Sequence, residues 1–257
     1  MREVGKNAIK VQERVAKKLS LYPAKVTTQI VPRERYAEYI FQLALLGATL
    51  EKIAIEIRNL QRTEIAEVSE HFKKGQMGSS AVPAKRNPIM SERISSLSKL
   101  LRSQISTSFE NIPSWHERDL SNSANERFTL PMTSILLDEM LETMITVIEN
   151  LQVDTKRVRE NLHITKGQIF SEFVLEALIK KGIPRFKAYR DVQRVAFAAH
   201  KKGINFMDAL GNDKVVSSAL SDKEIKSIFV AENHLGASLT IIDNVNNHVR
   251  ANAKKFS

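Results

Sequence analysis

The chain has 257 residues, a formal net charge of +10 and no cysteine. That length suits one large or two modest domains around a real hydrophobic core, and the missing cysteine excludes disulfides, thiolate metal sites and a thiol nucleophile. No apolar stretch is long enough to cross a bilayer, and the start, Met-Arg-Glu-Val-Gly-Lys, lacks the apolar centre of a signal peptide, so the expectation is a cytoplasmic protein with no membrane partner.

The basic excess is scattered in pairs such as Lys17-Lys18, Lys73-Lys74, Lys180-Lys181 and Lys201-Lys202, near expected helix ends where cations meet the dipole favourably. It reads as solvated surface, not as a contiguous stripe for nucleic acid. Long period-3.6 patterns with few glycines and prolines define the class as all-α.

In chain order, a first helix is expected around Val11 and Gln12. Residues 35–73 then place Tyr39, Ile40, Leu43, Leu46, Leu50, Ile53, Ile57 and Leu60 one, three and four apart, which predicts one long amphipathic helix. At about 1.5 Å per residue it would run some 55–60 Å, which implies an elongated helical bundle. Glycines and prolines at both ends of residues 75–88 forbid a continuous helix and mark a long loop. Helical periodicity resumes over 89–109, a polar stretch fills 111–127, and a third long helix is expected over 128–151. Beyond Asp154 the helices shorten, with breaks near Gly167, Gly182-Ile183-Pro184, Gly203 and Gly211-Asn212-Asp213. The expected organisation is a long-helix bundle over residues 1–163 and a small helical carboxy-terminal domain over 164–257.

Gly78-Ser79-Ser80-Ala81-Val82-Pro83-Ala84-Lys85-Arg86-Asn87-Pro88 combines paired serines, a lysine, an asparagine and two prolines. A plain Ser/Pro linker has no reason to carry this ordered set. The segment resembles the signature loop of the fumarase/aspartase superfamily, Gly-Ser-Ser-x-Met-Pro-x-Lys-x-Asn-Pro, departing from it by Val82 in place of methionine. Ala84 stands where adenylosuccinate lyases often carry His or Tyr. Removing a proton next to a carboxylate builds a dianionic intermediate, so such a site needs a base among concentrated donors. A free serine hydroxyl is a poor base and requires a positive environment around it. The resemblance implies Ser79 as general base, Ser80 among the substrate-binding groups, and Lys85 and Asn87 on the substrate carboxylates. It also implies Glu92, seven residues after Lys85, as an orienting active-site acid, although a glutamate in a first helical turn stabilises that terminus in any case.

A second segment, Trp115-His116-Glu117-Arg118-Asp119-Leu120-Ser121-Asn122-Ser123-Ala124-Asn125-Glu126-Arg127, is similar to the stretch of adenylosuccinate lyases that holds the nucleotide phosphate. Arg118, Ser123 and Arg127 match the substrate-contacting residues of that stretch, and two guanidinium groups with a hydroxyl suit a phosphate. The same residues also read as a helix start, Ser123 capping and Glu126 closing a capping box. His116 is read as a partly buried bridging residue. A third segment, Thr27-Thr28-Gln29-Ile30-Val31-Pro32-Arg33-Glu34-Arg35, resembles the family's Thr-Gln-x-x-x-Arg-Asp element, with Gln29 as a substrate-binding match.

The six histidines show no metal-ligand spacing, so no metal is expected, and no cofactor is implied. The resemblance covers nearly the whole chain and implies an adenylosuccinate lyase-type reaction on a small nucleotide substrate, within a homotetramer whose active sites combine segments of several subunits. The family's general-acid histidine lies in an amino-terminal half with no counterpart here, so a missing half or a companion chain is expected, with weak activity for this chain alone. The rival readings are another superfamily lyase, of the argininosuccinate lyase or carboxymuconate cycloisomerase kind, and a catalytically incomplete helical scaffold.

Overall fold

Apolar stripes too long for short helices to cover dominate the first part of the chain, and they bury one another. The computed structural model describes residues 2–72, 75, 82 and 84–253. The chain divides into two units, Met1–Asp154 and Thr155–Ser257. The expected boundary after residue 163 therefore lies one short helix further along the chain.

In the first unit, α1 (Ala8–Lys18) buries none of its residues. Helix α2 (Glu34–Leu60), α3 (Ile89–Glu110) and α4 (Ser123–Glu149) pack as a bundle around Ala44, Leu50, Ala54, Ile94, Leu101, Leu137, Met140 and Met144. Helix α3 runs against α2 and α4. Thus Arg58 meets Ser95 and Arg102 pairs with Glu51 along α2, while Arg93 meets Glu139 beyond the middle of α4. Helices α2 and α4 run in the same direction, with Tyr39 Oη 2.9 Å from Ser134 Oγ near their amino ends. Two short strands, β1 (Val68–Ser69) and β2 (Gln152–Val153), pair antiparallel in the register Val68 to Val153. The Asp154 N–H continues the ladder to the Glu67 carbonyl at 2.9 Å.

Helix α2 ends thirteen residues before the expected stop at 73. The Gln61 N–H still bonds back to the Ile57 carbonyl, but the chain then turns, Ala66 adopts a left-handed φ of 54°, and Val68 is taken by β2. Strand pairing across more than eighty residues overrides the local apolar spacing. Helix α4 begins at Ser123, five residues ahead of the expected 128, because its first turn is polar and carries no periodic signal. Pro131 lies inside it, in the third turn, where its missing N–H leaves the Arg127 carbonyl without its helical donor.

The second unit comprises α5 (Thr155–Leu162), α6 (Ser171–Lys180), α7 (Arg185–Lys202), α8 (Phe206–Asn212), α9 (Lys214–Ala219), α10 (Asp222–Ile228) and α11 (Ser238–Ala253). Its core gathers Phe170, Val174, Leu178, Val192, Phe206, Leu210 and Ile225. Gly167 has φ +87°, and a Cβ there would stand 2.7 Å from the Phe229 ring, so no other residue fits that bend. No helix among the described residues is long and apolar enough to span a membrane.

Candidate active-site segments

The polar residues singled out in the sequence collect at the two ends of the bundle. At the carboxy end of α2 stand the loop residues. Ser79 and Ser80 lie outside the described residues. Lys85 is exposed, its N–H donating to the Val82 carbonyl at 3.0 Å, and Asn87 is half-buried, its carbonyl accepting the Ile89 N–H at 2.9 Å. One turn into α3, Glu92 is exposed and its N–H bonds to the Pro88 carbonyl at 2.9 Å. Lys85, Asn87 and Glu92 thus occupy one short stretch where the loop enters α3.

The opposite end carries Gln29, Arg118, Ser123 and Arg127. Ser123 and Arg127 stand one turn apart on the same face of α4. Ahead of them Asp119 ties a tight turn, accepting the Trp115 N–H at 2.6 Å and the Ser121 N–H at 2.7 Å. The Ser121 hydroxyl first, then these two N–H groups, hold the Asp119 carboxyl below the usual carboxylate range. Exposed Arg118 projects from this turn. Among the described residues neither Arg118, Arg127 nor Lys85 has a carboxylate partner. Their charge is therefore available to an anion.

The Gln29 segment reaches the same end through Arg33, whose Nε sits 2.7 Å from Glu126 Oε1 with both side chains mostly buried. The contact lies outside hydrogen-bond geometry, so charge holds it. The guanidinium also lies 4.8 Å over the Tyr36 ring. This pairing corrects the capping-box reading. The residue before α4 is Asn122, without a side-chain cap, and the Glu126 carboxylate is shared by Arg33 and the Asn122 amide at 2.9 Å. His116 is corrected as well: it is exposed, at a left-handed φ of 49°, beside a Trp115 that is 79% exposed.

Sequence reasoning missed the residues that hold these segments. Asp119 with Ser121 two residues on is an Asx-turn pattern that could have been read. Glu70 and Gln61, which grip the loop stem from within, gave no signal. Their partners lie at residues 86–91, far along the chain.

In one chain the two ends are separated by the length of α2, which at 27 residues spans about 40 Å. No nucleotide reaches that far. A site that used both segments would have to draw them from different copies of the chain.

Three long helices with a polar segment at each end give the chain the fold of the fumarase/aspartase class. A family model described as "Lyase" matches residues 5–100. The 3-carboxy-cis,cis-muconate lactonizing enzyme of Pseudomonas putida has a TM-score of 0.81 at 28% identity, covering 96% of this chain and 54% of its own. A fumarate lyase of Mesorhizobium sp. BNC1, 24% identical with the same TM-score of 0.81 over 94% of this chain and 53% of its own, shares the fold.

Within that class the chain's matches are to the adenylosuccinate lyase family. A model described as "Adenylosuccinate lyase C-terminus" matches residues 167–245. Adenylosuccinate lyases of Pyrococcus abyssi, Thermotoga maritima and Synechocystis sp. are 40%, 43% and 45% identical over 95%, 85% and 88% of this chain. The chain spans about half the length of these relatives, 54%, 51% and 53% respectively.

Proposed function

We propose that the chain contributes the loop and phosphate segments of an adenylosuccinate lyase. In this reading the assembled enzyme eliminates fumarate from adenylosuccinate to give AMP, and from the succinyl-carboxamide ribotide to give its carboxamide. The observation that carries the reading is the coexistence of Lys85, Asn87 and Glu92 at the loop stem with Ser123 and Arg127 on one face of α4, in a chain 40–45% identical to adenylosuccinate lyases.

The Ser79 hydroxyl takes the proton next to the carboxylate, Lys85 and Asn87 meet the carboxylates whose charge grows in the intermediate, and Glu92 orients the groups around them. Arg118, Ser123 and Arg127 hold the phosphate, with Gln29 at the same end of the bundle. The leaving nitrogen is protonated by an acid from another segment of the assembly.

The assembly is a cytoplasmic homotetramer with shared sites. Supporting this, the two segments lie at opposite ends of the bundle in one chain, and large apolar side chains remain uncovered along it, Leu45 at 53%, Phe128 at 69%, Ile135 at 66% and Ile148 at 51%.

The test is fumarate release from adenylosuccinate by this chain combined with the histidine-bearing amino-terminal half that the resemblance implies. Turnover is expected for the pair and little for the chain alone. Turnover of argininosuccinate in place of adenylosuccinate would overturn the substrate assignment.

A further inference from the structure

Under the stem of the loop lies a buried carboxylate that no step of the elimination uses. Glu70 is 6% exposed. It accepts the Met90 N–H at 3.1 Å, the Ser91 N–H at 2.7 Å and the Ser91 hydroxyl at 2.6 Å. The Glu70 N–H in turn donates to Gln61 Oε1 at 2.9 Å, and the Gln61 amide nitrogen donates to the Arg86 carbonyl at 3.2 Å. Beside them the Arg86 guanidinium lies 5.5 Å over the Phe72 ring. Below, Arg58 donates to the Ser95 hydroxyl, which donates to the Ser91 carbonyl, each at 3.0 Å. The two flanks of the loop are therefore joined to each other and to α2 by one polar network.

The first N–H groups of α3 have no partner within the helix, and Pro88, at the cap position, offers no side-chain acceptor. A Ser or Asp next to the helix would meet that need locally. Here it is met from across the loop by a carboxylate out of water, an arrangement tolerated only when the buried oxygens are well satisfied. What the distant carboxylate adds over a local cap is closure. It fixes the segment on which Lys85, Asn87 and Glu92 ride.

We propose that Glu70, braced by Gln61, is a positioning residue for the elimination, tying Met90 and Ser91 to the chain before the loop so that Lys85, Asn87 and Glu92 are in place before substrate arrives. The proposal rests on the lyase reading above.

Two measurements test it. Hydrogen–deuterium exchange on the full chain reads the clamp without substrate. In Glu70→Gln, whose amide group turns donors toward donors, exchange over residues 84–92 rises roughly tenfold, the factor that about one lost buried hydrogen bond carries. Exchange over residues 97–106 in the middle of α3 stays as it was. Gln61→Met leaves the carboxylate in place, raises exchange over residues 84–88 in the same way, and serves as the second variant should Glu70→Gln fold poorly.

In the assembled lyase Glu70→Gln lowers kcat roughly 10- to 100-fold, the scale of a ~1 Å misplacement of reacting groups, with KM moved by less than about threefold. Glu70→Asp recovers part of the loss. Met140→Ala, which loosens the same unit midway along the bundle at the level of Gly47, leaves kcat unchanged. Exchange that rises evenly through α2, α3 and α4 would overturn the proposal, as would a local rise with kcat intact or an equal kcat loss in Met140→Ala. A wild-type assembly that releases no fumarate sinks the lyase reading and the catalytic half of this proposal with it, and the exchange data then decide separately whether the clamp exists.

Discussion

Ser79 and Ser80 offer the same hydroxyl on adjacent residues, and a backbone that aims one of them at a proton points the other elsewhere. In the assembled enzyme Ser79→Ala is expected to lower turnover roughly 10²- to 10⁴-fold, the range of a general acid–base group, with substrate affinity largely kept. Thermal stability should hardly change. Ser80→Ala is the internal control, and full loss in Ser80→Ala with turnover intact in Ser79→Ala would reverse the assignment. Arg127→Ala should act on binding: a phosphate remote from the breaking bond is held alike in ground and transition states, so KM rises while kcat holds. Initial rates across substrate concentration separate the two effects. An unchanged KM would remove Arg127 from the phosphate site.

Reading at this scale locates residues where they are neighbours in sequence. Lys85, Asn87 and Glu92 fall within eight residues, and the structure places them on one short stretch. It failed where a side chain answers a distant partner. Glu126 looks like a capping-box acid from its spacing to Ser123, yet Arg33, more than ninety residues earlier, takes its carboxylate. His116 looks like a bridging histidine beside a tryptophan, yet the Asp119 turn leaves both exposed.

Among the elements, α3 was legible almost to the residue because Pro88 and Asn111 punctuate it. The end of α2 was not, since only the pairing of Val68 with Val153 tells the chain to stop. The close approach of α2 to α3 at Gly47 supplies a prediction: a Cβ there would overlap Leu101 Cδ2, and Leu101 is fully buried. Overpacking of this kind costs about 1–3 kcal/mol and outweighs the ~1 kcal/mol that alanine gains in helix propensity. Gly47→Ala should therefore lower Tm by a few degrees in a calorimetric scan, and an unchanged or higher Tm would mean that Leu101 moves freely.

In the second unit, the carboxylate of Glu224 is drawn from its ordinary 4.5 to about 2, by Lys181 Nζ 2.7 Å away and by the N–H and hydroxyl of Ser221 at the start of α10. A depressed folded-state pKa gives stability that is present above the unfolded value and lost as pH falls through the folded one. Glu224→Gln should then melt below wild type at pH 7, the gap narrowing from about pH 4.5 downward and closing near pH 2. A gap independent of pH would mean that packing, not charge, holds that turn.

For the molecule as a whole, the separation of the two polar ends matters more than any single contact. Helix α2 keeps Lys85, Asn87 and Glu92 about 40 Å from Arg118, Ser123 and Arg127, the rise of its 27 residues. One chain cannot bring both to one substrate. Uncovered apolar residues on α2 and α4, and a terminal helix α11 that buries none of its side chains, are the surfaces such an assembly would use.

Subunit complementation tests this most directly. Assembled Ser79→Ala enzyme and assembled Arg127→Ala enzyme are dissociated, mixed in equal amounts, reassembled and assayed for fumarate release at substrate below the wild-type KM. With the loop and phosphate segments drawn from different, randomly mixed copies, one half times one half of the sites regain both intact segments, and activity returns to about a quarter of wild type. A mixture no more active than the two variants measured apart would contradict the shared site, because loop and phosphate segment would then have to come from one and the same chain.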